Sequence, residues 1–192
     1  TWSHKNGETT AILALGNGVG NPLTWTDGVD TYIGDSVTFV NWTAGTHNVT
    51  VTCGNPSLIT GVTMGSKSLT EIDLSELPNL TGELDLQGND LTVIVDPPVS
   101  NTVNKIQINN NSNLTSISWD AYQQCNDLQA VGCSSLSDIG LTGVAVDLKA
   151  IDYRGNGACD LSSFTGCEAS TEIEIKGACT AFTAPSLGSG TI

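Results

Sequence analysis

Basic side chains are scarce in this 192-residue chain: 6 Lys and Arg stand against 20 Asp and Glu, a formal net charge of −14. A field of that sign repels phosphate backbones and anionic bilayers, so nucleic acid is excluded as an expected partner. A basic surface or a divalent cation suits it better. Long apolar runs are missing too; nothing approaches the roughly 18 residues a membrane helix needs, so no membrane insertion is expected. Histidine is confined to His4 and His47. No HExxH, GxSxG or GxxxxGK pattern occurs, and no enzymatic activity or resident organic cofactor is expected. There is no CxxC pair and no histidine near the cysteines, which argues against zinc.

What is present points to a folded chain with many corners. Hydrophobic residues make up 39%, enough for a core, and the 21 glycines show no period of three. Glycine and asparagine together suit tight turns in which φ turns positive. An even number of cysteines in a lysine-poor acidic chain suggests an oxidising compartment and up to three disulfides. Cys53, Cys125, Cys133, Cys159, Cys167 and Cys179 are the candidates, and their pairing is not deducible from sequence. Cys133, at an inward position, is the one that suits a reduced core thiol. Because the chain opens on Thr1 rather than Met, a processed or excised product is expected.

A motif returns every ~22 residues, the signature of stacked repeats that share one core. One series of apolar pairs reads Val62/Met64, Leu84/Leu86, Ile106/Ile108, Val131/Cys133, Ile151/Tyr153 and Ile173/Ile175. A second lies between them: Leu69/Ile72, Leu91/Ile94, Leu114/Ile117, Leu136/Ile139 and, more weakly, Leu161/Phe164. Side chains alternate across a strand, so each pair faces inward and the residue between faces solvent. Every turn then adds one strand to a parallel sheet, with stacked Leu and Ile inside.

These residues resemble the leucine-rich repeat family, whose pattern reads LxxLxLxxNxL. Leu84, Leu86, Asn89 and Leu91 match it without a gap, with Thr81 at the first position. Val103, Ile106, Ile108 and Asn111 also fit, and Leu114 then falls one residue late. Leu148, Ile151, Tyr153 and Asn156 fit, with Ala158 in place of the last Leu. Lys67 stands where the pattern has Asn, and the repeat at Val131 is read as shortened. The resemblance covers about residues 58–180 and implies a mainly β, leucine-rich-repeat-like solenoid with a parallel β ladder. A right-handed parallel β-helix is the alternative. It also implies that the asparagines hydrogen-bond inside the coil, holding the bend after each strand.

Three regions follow. Residues 1–57 are expected to form an N-terminal β cap or degenerate first coils, with β-prone stretches at Val37–Val40 and Val49–Val51 and loop from Gly16 to Gly28. Residues 58–183 form the solenoid, and 184–192 a tail. A cap is physically required, because an open coil end exposes core and unpaired strand groups.

The candidate binding face comprises Glu83, Asp85, Gln107, Asp152, Glu172 and Glu174. Calcium is the one candidate ion, with Asp85, Asn89 and Asp90 its best local oxygen cluster, although no DxDxDG loop sharpens it. Candidate glycosylation sequons begin at Asn41, Asn48, Asn79, Asn110 and Asn113. Trp25, Trp42 and Trp119 would stack on sugars if exposed; burial is the expectation. The reading is an extracellular recognition or adhesion module, at a cell or virion surface, displaying a rigid acidic face to a protein or glycan. Its alternative is a self-assembling structural subunit of a virus particle or cell-surface filament.

Overall fold

The computed structural model describes residues 2–6, 10–40, 45–97, 102–117 and 124–136, with short strands at 150–152, 159–160, 165–167, 172–174, 182–183 and 186–187. The protein is mainly β. In chain order the first strands are β1 Trp2–Asn6, β2 Thr10–Asn17, β3 Thr24–Thr26, β4 Thr31–Ile33, β5 Ser36–Val40 and β6 Gly45–Thr52. A 3₁₀ turn at Pro56–Leu58 precedes β7 Ile59–Thr63, β8 Leu69–Asp73, β9 Glu83–Asp85, β10 Val93–Val95, β11 Thr102–Gln107 and β12 Gln124–Gln129. The remainder are β13 Ala150–Asp152, β14 Cys159–Asp160, β15 Thr165–Cys167, β16 Glu172–Glu174, β17 Phe182–Thr183 and β18 Ser186–Leu187.

Two mixed sheets enclose the core. The eight-stranded sheet runs β16-β13-β12-β11-β9-β7-β2-β5, and its first six strands are all parallel. Their register aligns Val62, Leu84, Ile106, Leu128, Ile151 and Ile173 across neighbouring strands. Alternation explains the sheet's two faces: Val62, Leu84, Ile106 and Leu128 are buried, while Glu83 and Asp85 on either side of Leu84 are not. The six-stranded sheet runs β10-β8-β1-β6-β3-β4, and β8 and β10 are parallel with Ile72 opposite Ile94. Short strands pair in parallel as β14 with β17 and β15 with β18.

Between the sheets, Met64, Leu86 and Ile108 stack with Leu69, Leu91 and Leu114, all fully buried in one continuous core. Apart from Val131, the members of both apolar series are buried wherever side chains are described. Residues of the first 57 close the same core: β2 pairs antiparallel with β7, and β1 with β8. Phe39 and Trp25 are fully buried, and Tyr32 meets Phe39 edge-on at 4.9 Å.

The structure corrects the sequence reading at one repeat. Leu128, not Val131, pairs with Ile106, and Ala130, not Cys133, occupies the second inward position. Val131 lies in a turn because Gly132 has φ +72°, a left-handed conformation that ends the extended segment. The same backbone sign recurs at Ser66 (φ 56°), Gly88 (φ 64°) and Asn110 (φ 57°), so the spacing from Ser66 to Gly132 is even and no repeat is shortened. Cys125 belongs to β12, opposite Val103. The loop expected between Gly16 and Gly28 also contains β3, whose Trp25 pairs with Val51 on one side and Tyr32 on the other.

Candidate functional site

The repeat builds two different rows of polar residues, one inside the bends and one outside the sheet. Inside, Asn89 and Asn111 are buried. Asn89 Oδ1 accepts from the amides of Lys67 (2.9 Å) and Leu69 (3.1 Å), and its Nδ2 donates to the carbonyls of Met64 (2.9 Å) and Leu86 (2.8 Å). Asn111 repeats the pattern, accepting from Leu91 N (3.2 Å) and donating to Leu86 O (2.9 Å) and Ile108 O (2.7 Å). The next member is Cys133, whose thiol donates to Ile108 O at 3.1 Å. These groups satisfy buried backbone atoms where the chain leaves the strand.

The outer face of the parallel strands is the candidate site. One row runs Glu83, Lys105, Asp127, Ala150, Glu172 and the next Asp85, Gln107, Gln129, Asp152, Glu174. Register therefore brings all six residues of the expected binding face onto one sheet, in two adjoining rows. Lys105 Nζ lies 3.7 Å from Glu83 and 4.0 Å from Asp127. Both ion pairs are solvent-accessible and contribute at most about 1 kcal/mol. Gln129 links the rows: its Oε1 accepts from Gln107 Nε2 (3.1 Å) and Asn109 Nδ2 (3.3 Å), and its Nε2 donates to Asp127 (3.0 Å). Asn109 Oδ1 accepts from Val131 N at 2.8 Å, so the amides are fixed by their neighbours.

Lys105, Asp127, Asn109 and Gln129 were not singled out from the sequence. Placing Val131 in the strand obscures Asp127 and Gln129, which alternation about Leu128 identifies at once. The oxygen cluster proposed for calcium is not assembled. Asn89 faces inward with its amide fully engaged, Asp85 Oδ1 accepts from Gln87 N at 3.1 Å, and Asp90 is exposed. Among the described residues no three His, Cys, Asp or Glu gather as a metal-binding group.

Asn48, Asn79, Asn110 and Asn113 are exposed, and Asn79 Nδ2 donates to Ser57 O at 3.1 Å; Asn41 lies outside the described residues. Trp25 is buried, with Nε1 donating to Gly34 O at 2.7 Å, so it offers no sugar platform; Trp42 and Trp119 lie outside the described residues. His4 and His47, remote in sequence, are directly opposite in the β1–β6 register. Cys53 and Cys133 are free thiols, one half-buried and one buried. The side chains of Cys125, Cys159 and Cys167, and all of Cys179, Ile139, Leu161 and Phe164, lie outside the described residues.

Near the first strands, Asp73 accepts hydrogen bonds from the Ser75 hydroxyl and amide, which hold its carboxyl below the usual aspartate range. Burial pushes the Cys133 thiol up. Comparison with protein-family models, with curated proteins and with solved structures finds no match to this chain.

Proposed function

We propose that the chain is a leucine-rich-repeat-like solenoid whose outer parallel ladder is a recognition surface for a basic protein or a glycan outside the cell. Binding, with no chemistry of its own, is the role this reading assigns. One observation carries it: the strand register that aligns Glu83, Asp85 and Gln107 with Asp152, Glu172 and Glu174. A sheet held in place through neighbouring coils loses little freedom on binding, which favours affinity. Fixed amides of Gln107, Asn109 and Gln129 supply directional hydrogen bonds beside the carboxylates.

The test compares two charge-reversed proteins of equal net charge. Glu83→Lys with Asp85→Lys alters the proposed face; Glu71→Lys with Asp90→Lys alters exposed positions elsewhere. Binding to immobilised polylysine and to a glycan panel is read by interferometry at two salt concentrations. The face variant is expected to bind polylysine at least tenfold more weakly than the control variant. Equal losses in both would leave only diffuse charge attraction and remove the face.

A second reading, self-assembly into a particle or filament, draws on the sheet edges. β4 and β5 end their sheets, and Ile33, Val29 and Val40 beside them are exposed. Sedimentation equilibrium distinguishes the two: a monomer across the micromolar range opposes assembly.

A further inference from the structure

We infer that the ladder face takes a polyproline II segment carrying Lys or Arg at every third residue. This rests on the recognition role argued above and adds the shape and charge period of the partner. The first row of the face alternates in charge: register sets Glu83, Lys105, Asp127, Ala150 and Glu172 side by side on successive strands. Carboxylates therefore recur at every second strand, a distance of ~9.6 Å at the usual strand spacing. Lys105 stands between the first two, 3.7 Å from Glu83 and 4.0 Å from Asp127, and uncharged Ala150 stands between the next two. The second row, Asp85, Gln107, Gln129, Asp152 and Glu174, has no single charge period, so the first row sets the spacing.

Backbone geometry decides which partner fits that spacing. Side chains on one face of an extended strand recur every ~6.7 Å, which matches neither one step of the row nor two. An α-helix comes nearest with every seventh residue, ~10.5 Å along its axis, and is ~1.8 Å out of step by Glu172. A polyproline II helix has three residues per turn, so every third residue returns to the same side after ~9.3 Å and is only ~0.6 Å out of step there.

The groups between the carboxylates suit the same partner. Midway between its cations such a segment presents backbone, and a backbone carbonyl meets the Lys105 ammonium without repulsion. Polyproline II carbonyls have no internal donors, so they accept from the surface they lie on. The Gln107 amide stands in the adjoining row, and its Nε2 carries a second hydrogen beyond the one given to Gln129. A segment already extended in solution and a ladder already fixed by its neighbours both lose little freedom on docking. Each exposed ion pair brought into step is worth up to about fivefold in affinity, so two more aligned pairs supply the discrimination.

Three capped peptides with the same number of lysines test the period against the full chain by interferometry. One is polyproline with Lys at every third position, and one is polyproline with Lys at every fourth, which turns successive cations away from a common side. The third is an alanine-based helix with Lys at every seventh. The every-third peptide is expected to bind at least tenfold more tightly than either of the others. Asp127→Asn removes the middle carboxylate while keeping an acceptor for Gln129 Nε2, and should weaken the every-third peptide at least threefold. Glu71→Gln, away from this face, should not, and circular dichroism should be unchanged in both. Equal binding of the three peptides, or tightest binding of the helix, overturns the proposal. Glu83→Lys with Asp85→Lys separates the two failures. If it weakens all three peptides alike, the face binds by charge and only the period is lost; if it weakens none, the face itself is lost.

Discussion

Asn89 and Asn111, one repeat apart, donate to the same acceptor, the carbonyl of Leu86, at 2.8 and 2.9 Å. Each bend is thus tied to the next through a shared backbone atom, and the row behaves as a chain of bonds rather than as separate caps. Replacing Asn111 by Ala strands the amide of Leu91 and leaves Ile108 O without that donor. Unsatisfied buried groups cost about 1–3 kcal/mol, so Asn111→Ala should lose at least about 2 kcal/mol in urea unfolding. Asn111→Cys should lose less, because Cys133 shows a thiol reaching a carbonyl from the equivalent position. A loss under about 0.5 kcal/mol for the alanine variant would show that the bends hold without these bonds.

Much of this was legible in the residues, and the part that was not has a physical cause. Apolar alternation at Val62/Met64, Leu84/Leu86 and Ile106/Ile108 identified the buried face because nothing competes with it there. At the fourth repeat Leu128/Ala130 and Val131/Cys133 both look strand-like. The left-handed backbone at Gly132 decides between them, and a glycine alone does not announce its φ. The acidic binding-face residues were chosen by period, and the register gathers them; their cation Lys105 was overlooked because a lone Lys carries no pattern. β3 was hidden among turn residues, since a three-residue strand is specified by its neighbours Val51 and Tyr32 more than by its own sequence.

The turns make a second prediction. Gly88 has φ +64°, and a Cβ there would meet Ser66 Oγ at 2.9 Å. Gly88→Ala imposes both a left-handed backbone penalty of about 1–2 kcal/mol and a contact that must relax. Thermal unfolding should shift down accordingly. Gly88→Asn should be milder, since Asn110 adopts the same conformation at φ 57° in the following repeat.

Asp73 offers a titration. Hydrogen bonds from the Ser75 hydroxyl and amide lower its folded-state pKa below the ordinary value of 3.8. The sign follows from linkage: stability from this group is fully present above its unfolded value and is lost as pH falls through the lowered folded value. A carbon-13 NMR titration should place the Asp73 midpoint below that of an unstructured aspartate. Ser75→Ala should raise it, and Asp73→Asn should make the acid limb of the stability curve shallower. An unchanged midpoint in Ser75→Ala would remove the hydroxyl as the cause.

The alkaline limb should belong in part to Cys133. Burial raises its thiol pKa above 9.0, opposed only in part by the Asn111 backbone. The folded state therefore holds this proton more tightly than the unfolded chain does. Stability from the group is complete below the ordinary thiol value and declines as pH climbs toward the raised folded one. Cys133→Ala would lose a fixed amount at every pH, through the emptied space and the freed Ile108 carbonyl. It should also flatten the fall in unfolding free energy that begins near the ordinary thiol value of 9.0. Native-state labelling gives the independent check: at pH 8 a thiol reagent should modify Cys133 only at the rate at which the protein opens, and that rate should rise with urea. Modification as fast as that of half-buried Cys53 would mean that the fourth bend is open to solvent, and the row begun by Asn89 and Asn111 would then stop at Asn111.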